Sequence, residues 1–129
     1  RYVIVHGTEG YRAADILAAE DAPILCGPLL CDRSKPELRG LTPANPGILY
    51  RAGVAIALIN DHPVIPQQYL AICAGLAVRE GLPHEAALKA VTLWPARICG
   101  IDGQAENGVC RGEPDSIKIG YKMPQPGQR

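Results

Sequence analysis

The chain has 129 residues, 47% of them hydrophobic, which is enough to bury the core of one domain without disulfides or structural metals. Its 13 basic and 13 acidic residues give a formal net charge of zero, which argues against nucleic acid or an anionic membrane as a partner. The five cysteines follow no regular spacing, and neither a membrane-spanning run nor a secretory leader is present. We therefore expect a soluble, cytoplasmic protein with reduced thiols.

The first predicted unit is a strand followed by a helix. Residues 2–6 alternate and are rich in β-branched side chains, which is typical of a strand. After a glycine-containing turn, residues 11–20 place Ala13, Ile16 and Leu17 at helical spacing. These three side chains are predicted to form one buried stripe.

The second unit has the same order. Residues 23–27 form a short apolar run between helix and strand breakers, which predicts a buried strand. A loop rich in proline and charge follows. Asn45-Pro46 then matches a helix N-cap with proline in the first turn, and Gly53 is placed where this helix would end.

The third unit begins with a continuous apolar strand over residues 54–59. A long helix is predicted over residues 66–80, followed by another over 83–93 and a further helical turn over 95–99. The buried line of the long helix is predicted to contain Tyr69, Ile72, Cys73 and Leu76. The final segment, residues 103–129, shows little apolar periodicity and is predicted to be partly disordered.

Three strand-helix units of about 25 residues predict an α/β fold with a parallel sheet and right-handed crossovers. An open doubly wound sheet and part of a closed eight-stranded barrel share this pattern, and periodicity does not separate them. Gly7-Thr8-Glu9-Gly10 lacks the lysine and the glycine spacing of nucleotide-binding loops. A flavodoxin-like nucleotide-binding domain is therefore disfavoured.

Two predicted strands end on side chains that bind metals. His6 ends the first strand, and Asp61 closely follows the third. Because the carboxyl ends of parallel strands meet at one edge of the sheet, we expect the imidazole and the carboxylate to lie close together there and to hold a single cation. A divalent cation lowers the pKa of water from 15.7 to about 7, which provides a nucleophile for amide hydrolysis at neutral pH.

Four motifs, in order and spacing, resemble the C-terminal third of a metal-dependent amidohydrolase of the imidazolonepropionase-like group. They are His6-Gly7-Thr8-Glu9-Gly10-Tyr11, Gly27-Pro28-Leu29-Leu30 with Arg33-Ser34-Lys35, Asp61-His62-Pro63-Val64, and Pro95-Ala96-Arg97-Ile98 with Gly100. The resemblance covers residues 1–102. It implies that three βα units form the last three strands and helices of a TIM-barrel-like hydrolase, and that residues 103–129 re-enter a small β-sandwich domain.

The resemblance also implies roles for individual residues. His6 would bind the metal, and Asp61 would bind it and accept a proton from the attacking water. The metal would be zinc, with iron or manganese as alternatives. The substrate would be a small molecule with an amide, cyclic amide or imidazolone-type C–N bond. A further set of residues would orient these ligands or contact substrate: Thr8, Glu9, His62, Arg33 and Lys35.

A complete barrel takes about 250 residues, so the chain is expected to lack the earlier strands and the metal-binding histidines that the family carries there. The isolated chain should then be inactive. The alternative is a non-catalytic, truncated barrel segment that self-associates into a homo-oligomer through exposed strand edges.

Overall fold

The computed structural model describes residues 2–106 and 109–110. In these residues, helices and short strands alternate along the chain. The helices are α1 (Ala14–Ala19), α2 (Asn45–Arg51), α3 (Leu70–Arg79), α4 (His84–Val91) and α5 (Leu93–Cys99); the strands are β1 (Ile24–Cys26), β2 (Ile56–Leu58), β3 (Ala105–Glu106) and β4 (Val109–Cys110). Helices alternating with parallel strands confirm the predicted α/β class.

The parallel sheet is built on β1. Strand β1 pairs with β2 in parallel, with Ile24 opposite Ile56 and Cys26 opposite Leu58. On its other side, Ile4 forms a single parallel bridge to Ile24. The spatial order therefore follows the chain order, as is common for consecutive βα units.

The predicted first strand is much shorter than expected. Residues 2–6 contribute only the bridge at Ile4, whose N–H donates to Pro23 O at 2.9 Å and whose carbonyl accepts from Leu25 N at 2.8 Å. This segment has a strand neighbour on one side only in the described structure, so its outer backbone edge lacks a ladder. The predicted strands 23–27 and 54–59 are also shorter, at three residues each.

The core lies around β2. Ile56, Ala57 and Leu58 are almost completely buried, because helices α2 to α5 pack around the strand. The other main core side chains come from β1, the helices and the α3–α4 loop: Leu17, Ile24, Cys26, Leu49, Cys73, Ala77, Leu82 and Ala90. The unbroken apolar sequence of β2 is thus explained by cover on both faces.

The buried faces of two helices differ from the prediction. Ile16, Tyr69 and Ile72 were expected in the core, but they are 61%, 42% and 51% exposed. In α3 the buried face instead contains Cys73 and Ala77, with Leu70 packed against the core, which is about one residue, or 100°, from the predicted line. Leu17 and Cys73 are buried as predicted.

The break between the last two helices falls earlier than expected. It lies at Thr92, between α4 and α5, and not at Trp94-Pro95. Pro95 is accommodated in the first turn of α5, where its missing N–H would have no intrahelical partner. Gly100 ends α5 in the left-handed conformation (φ 72°), as its position predicted.

The cysteines at 26, 31, 73 and 99 are all free, and they differ in exposure. Burial raises the pKa of Cys26 to about 12, so only about one thiol in 10⁴ is ionised at pH 8. Cys99 is exposed. We expect iodoacetamide at pH 8 to label Cys99 at least about 100-fold faster than Cys26 in the folded protein.

Peptide mass spectrometry after timed quenching measures both labelling rates. The difference should disappear in guanidinium chloride, where both thiols are solvated. Equal labelling of Cys26 and Cys99 under native conditions would contradict the buried position of β1.

None of the helices in the described residues has the length and apolar character needed to cross a membrane. After α5, a 3₁₀ turn leads into the antiparallel pair β3 and β4. The prediction for residues 103–129 concerns mainly residues 107–108 and 111–129, which lie outside the described part of the chain.

Candidate functional site

Two strand-end residues have unusual backbone conformations. His6 and Asp61 have φ angles of 58° and 56°, and Asp21 (47°) is the other non-glycine residue with positive φ in the described chain. The left-handed region costs an L-residue about 1–2 kcal/mol, although histidine and aspartate tolerate it better than most. Backbone strain of this kind is more frequent at functional sites than elsewhere.

The two side chains converge at the carboxyl edge of the sheet. His6 Nε2 and Asp61 Oδ1 are 3.7 Å apart, which is longer than a hydrogen bond. The side chains are 47% and 41% exposed. The described residues therefore place an imidazole and a carboxylate side by side on an open rim, with room for a third atom between them.

The loop that carries His6 is packed tightly against β1. Gly7 N donates to Leu25 O at 3.0 Å, and Thr8 N donates to His6 O at 2.7 Å. A Cβ on Gly7 would overlap the side chain of Ile24, and a Cβ on Gly10 would lie 2.7 Å from the same side chain. Only glycine allows the loop to approach β1 this closely.

The loop that carries Asp61 is a tight turn at the end of β2. Asp61 O accepts a hydrogen bond from Val64 N at 2.8 Å, and the side chain of Asn60 donates to Pro66 O at 3.1 Å. Asn60 is 1% exposed. The turn is thus closed by one backbone contact and one buried amide, which direct the Asp61 side chain towards solvent.

Thr8 and Glu9 make their contacts away from His6. Thr8 Oγ1 donates to Glu37 O at 3.3 Å, and Glu9 Oε2 lies 3.0 Å from Arg12 Nε. The Glu9 carboxylate also packs against the Cα of Gly40. Among the described residues, neither side chain hydrogen-bonds His6, and both connect its loop to the segment around residue 40.

His62, Arg33 and Lys35 are exposed. His62 forms no side-chain hydrogen bond or ion pair within the described residues, so its proximity to Asp61 is sequential only. Arg33 likewise has no ion pair there. The structure brings together His6 and Asp61, and it does not bring these three side chains into contact with the pair.

The 31–35 loop nevertheless lies near the same rim. Burial raises the pKa of Cys31, and the negative charges of Asp32 and Asp61 raise it further, while Lys35 opposes them. Hydrogen bonds from Ser34 lower the pKa of Asp32, with a smaller contribution from the Lys35 charge. Cys31 is thus within electrostatic range of Asp61, and Lys35 is within range of Cys31.

Comparison with known proteins gives two matches, and both are described as amidohydrolases. A crystal structure of an amidohydrolase from Thermotoga maritima MSB8 superposes with a TM-score of 0.75 and is 44% identical in sequence, over 78% of this chain and 26% of that one. The amidohydrolase tasK of Hapsidospora irregularis is 35% identical over 60 residues, 46% of this chain and 6% of that protein. Most of this chain is therefore similar in sequence and fold to part of an amidohydrolase.

No family model matches the chain. It spans 26% of the length of the Thermotoga maritima amidohydrolase and 6% of tasK. The similarity therefore concerns a segment, and the activity of a whole protein does not follow from it directly.

The His6–Asp61 pair fits part of a divalent metal site. Imidazole nitrogen and carboxylate oxygen bind zinc at about 2.0–2.2 Å, which separates two ligands in a tetrahedron by about 3.4 Å. The observed 3.7 Å is close to this spacing. A catalytic zinc takes three protein ligands, and the described residues contain no group of three or more candidate side chains. The described residues thus offer two candidate ligands of an incomplete set.

Sequence reasoning missed two buried asparagines beside these loops. Asn45 was predicted as a helix N-cap, but α2 begins at Asn45 and its side chain makes no cap bond. It accepts from Tyr11 N at 2.8 Å and donates to Gly7 O at 2.7 Å. For Asn60, the sequence predicted only a position at the end of a strand. Local spacing carries no signal for contacts across 34 and 38 residues.

A cavity of about 560 Å³ lies at the opposite end of the strands. Its lining includes Pro23, just before β1, and Val54 and Ala55, just before β2. Catalytic groups of parallel βα folds lie at the carboxyl ends of the strands. The open His6–Asp61 rim is therefore the better candidate site.

Proposed function

We propose that the chain is part of a metal-dependent amidohydrolase of the imidazolonepropionase-like group, with its three βα units as the last three of an eight-stranded barrel. It would hydrolyse amide or cyclic amide C–N bonds in small molecules, in the reducing cytoplasm. The observation that carries the proposal is the distance of 3.7 Å between His6 Nε2 and Asp61 Oδ1. Both residues have left-handed backbone angles, and the chain is similar to part of an amidohydrolase.

His6 and Asp61 would hold the cation, with further ligands from outside the described residues. We propose zinc, with iron or manganese as alternatives, because imidazole and carboxylate suit all three. When bound, such a cation supplies Lewis acidity and a nucleophile at neutral pH.

Asp61 has a second task in this proposal. Its carboxylate accepts a proton from the attacking water and passes it to the leaving nitrogen. The new C–O bond forms as the C–N bond breaks, so water is added across the scissile bond and no other reactant is needed. The exposed position of Asp61 allows access to both the water and the substrate.

Arg33 and Lys35 are candidates for binding a carboxylate of the substrate. Both are exposed cations on the loop after β1, and the Lys35 charge already acts on Cys31, which lies within range of Asp61. A guanidinium can hold a carboxylate with two parallel hydrogen bonds. Thr8, Glu9 and His62 complete the proposed rim, although their described contacts do not include the pair.

Zinc titration of the 129-residue chain tests this site. We expect Zn²⁺ to shift the NMR signals of the His6 ring, and we expect His6→Ala and Asp61→Asn each to weaken binding by at least about 10-fold, the lower range for lost supporting contacts at metal sites. His84→Ala is the matched control, because His84 is exposed at the start of α4, outside both loops. It should leave binding unchanged.

Two results would count against the proposal. Equal zinc affinity in the wild type and in His6→Ala would exclude this pair as the site. A folded wild-type chain that binds no zinc above background would favour the second candidate, a non-catalytic module. The observation in favour of that module is the exposed apolar edge formed by Tyr2, Val3 and Val5, which could pair with a second copy.

A further inference from the structure

The two loops of the candidate site have a common construction. Each is held by one asparagine whose side chain is almost completely buried: Asn45 is 0% exposed and Asn60 is 1% exposed. They are the buried polar side chains of the described chain. Buried amides are retained where they are hydrogen-bonded, so the position of each hydrogen bond indicates what the side chain stabilises.

The Asn45 side chain binds both ends of the loop that follows His6. Its Nδ2 donates to the carbonyl of Gly7, the residue next to His6, and its Oδ1 accepts from the N–H of Tyr11. Asn45 itself lies at the start of α2, which packs in the core through Leu49. The position of His6 is thereby fixed from a helix 38 residues further along the chain.

The Asn60 side chain has the corresponding place beside Asp61. Its Nδ2 donates to Pro66 O and so spans the turn that contains Asp61. Its Oδ1 has no hydrogen-bond partner in the described residues. Asn60 therefore makes one restraining contact where Asn45 makes two.

Such restraint is needed because both supported residues have unfavourable backbone angles. His6 and Asp61 adopt φ angles near +57°, and a left-handed conformation persists only when the surroundings impose it. A loop without its anchor would relax towards ordinary φ values. The imidazole and the carboxylate would then turn away from each other.

We propose that Asn45 and Asn60 are positioning residues that hold His6 and Asp61 in the orientation required to share one cation. The part that concerns the cation rests on the proposed function, whereas the part that concerns orientation does not. Of the two, Asn45 has the larger effect, because it restrains its loop at two points.

The test combines a metal-free and a metal-dependent measurement on the 129-residue chain. The first is the NMR cross-peak between the His6 ring and the Asp61 Hβ protons, which reports their proximity without any metal. The second is the Zn²⁺ dissociation constant. We expect Asn45→Ala to remove the cross-peak and to weaken Zn²⁺ binding by about 10–100-fold, the range for supporting residues at metal sites. Asn60→Ala should weaken binding less.

Leu82→Ala separates positioning from general destabilisation. Leu82 is 1% exposed in the loop between α3 and α4, so the variant loses core packing without touching either site loop. It should keep the cross-peak and the wild-type zinc affinity. If Asn45→Ala does not fold, Asn45→Asp serves instead, because it keeps the acceptor for Tyr11 N and replaces the donor to Gly7 O with a carboxylate oxygen that repels this carbonyl.

The outcomes distinguish the two proposals. A cross-peak that is lost in the Asn45 variant and kept in Leu82→Ala supports positioning, even if the wild type binds no zinc and the metal site fails. A cross-peak and zinc affinity that are unchanged in a folded Asn45 variant overturn positioning and leave the metal site intact. Equal losses in the Asn45 variant and Leu82→Ala also overturn it.

Discussion

In the proposed hydrolase, replacement of Asp61 with asparagine is expected to lower kcat/KM for C–N bond hydrolysis by about 10²–10⁴-fold. This is the usual contribution of a general acid-base residue. The loss should be observed in the full protein that carries this chain with the rest of the site. Asparagine retains the size of aspartate and tolerates positive φ, so the turn at φ 56° should persist. What is lost is the negative charge and the capacity to accept a proton.

Turnover of any small amide that the wild type hydrolyses gives the comparison, with unfolding measured in parallel. Stability should change by no more than about 0.5 kcal/mol, because the side chain is well exposed. Asp21→Asn is the control, since Asp21 also has positive φ (47°) but precedes β1 at the opposite edge of the sheet. Wild-type turnover in Asp61→Asn, or an equal loss in Asp21→Asn, would contradict the assigned role.

The order of the elements was predictable because it depends on local patterns. The apolar runs at 23–27 and 54–59 predicted β1 and β2, and Gly100 marked the end of α5. These signals are hydrophobic periodicity and backbone preference, which act over a few residues. The meeting of His6 and Asp61 at one edge also followed from the sequence, because parallel strands end on the same side.

The burial of individual side chains was less predictable. Ile16 and Ile72 fit a buried helical stripe in sequence, yet both are exposed, whereas the next residue in each helix, Leu17 or Cys73, is buried. A shift of one or two residues rotates a helical face by about 100° per residue. The exposed apolar edge at residues 2–5 likewise depends on which strands lie beside it, and no local pattern carries that information.

The contacts that Asn45 and Asn60 make with the two site loops were the least predictable feature of the structure. Asn45 has the sequence context of an N-cap, and Asn60 that of a turn. Their roles depend on hydrogen bonds to Gly7 and Tyr11 in one case and to Pro66 in the other. The first set joins residues more than 30 positions apart. Only the folded chain shows that the same residue type anchors both loops.

Replacement of Gly27 with alanine is expected to be strongly destabilising although it lies outside the site. Gly27 has φ +147°, and a Cβ there would overlap Ile59 O and lie 3.0 Å from Ile59 C. These are backbone atoms at the end of the neighbouring strand, which cannot move aside as a flexible side chain can. Backbone strain of about 1–3 kcal/mol and overpacking of about 1–3 kcal/mol together lower the free energy of unfolding by roughly 2–6 kcal/mol.

Guanidinium chloride unfolding followed by circular dichroism measures this loss. The matched control is Gly75→Ala, because Gly75 lies within α3 with open space around its Cα and a φ compatible with alanine. That variant should gain about 0.5–1 kcal/mol, the helix preference for alanine over glycine. Since Ile59 lies two residues before Asp61, separation of the strand ends in Gly27→Ala would also move the carboxylate away from His6. A Gly27→Ala protein as stable as Gly75→Ala would contradict the close approach of the two strand ends.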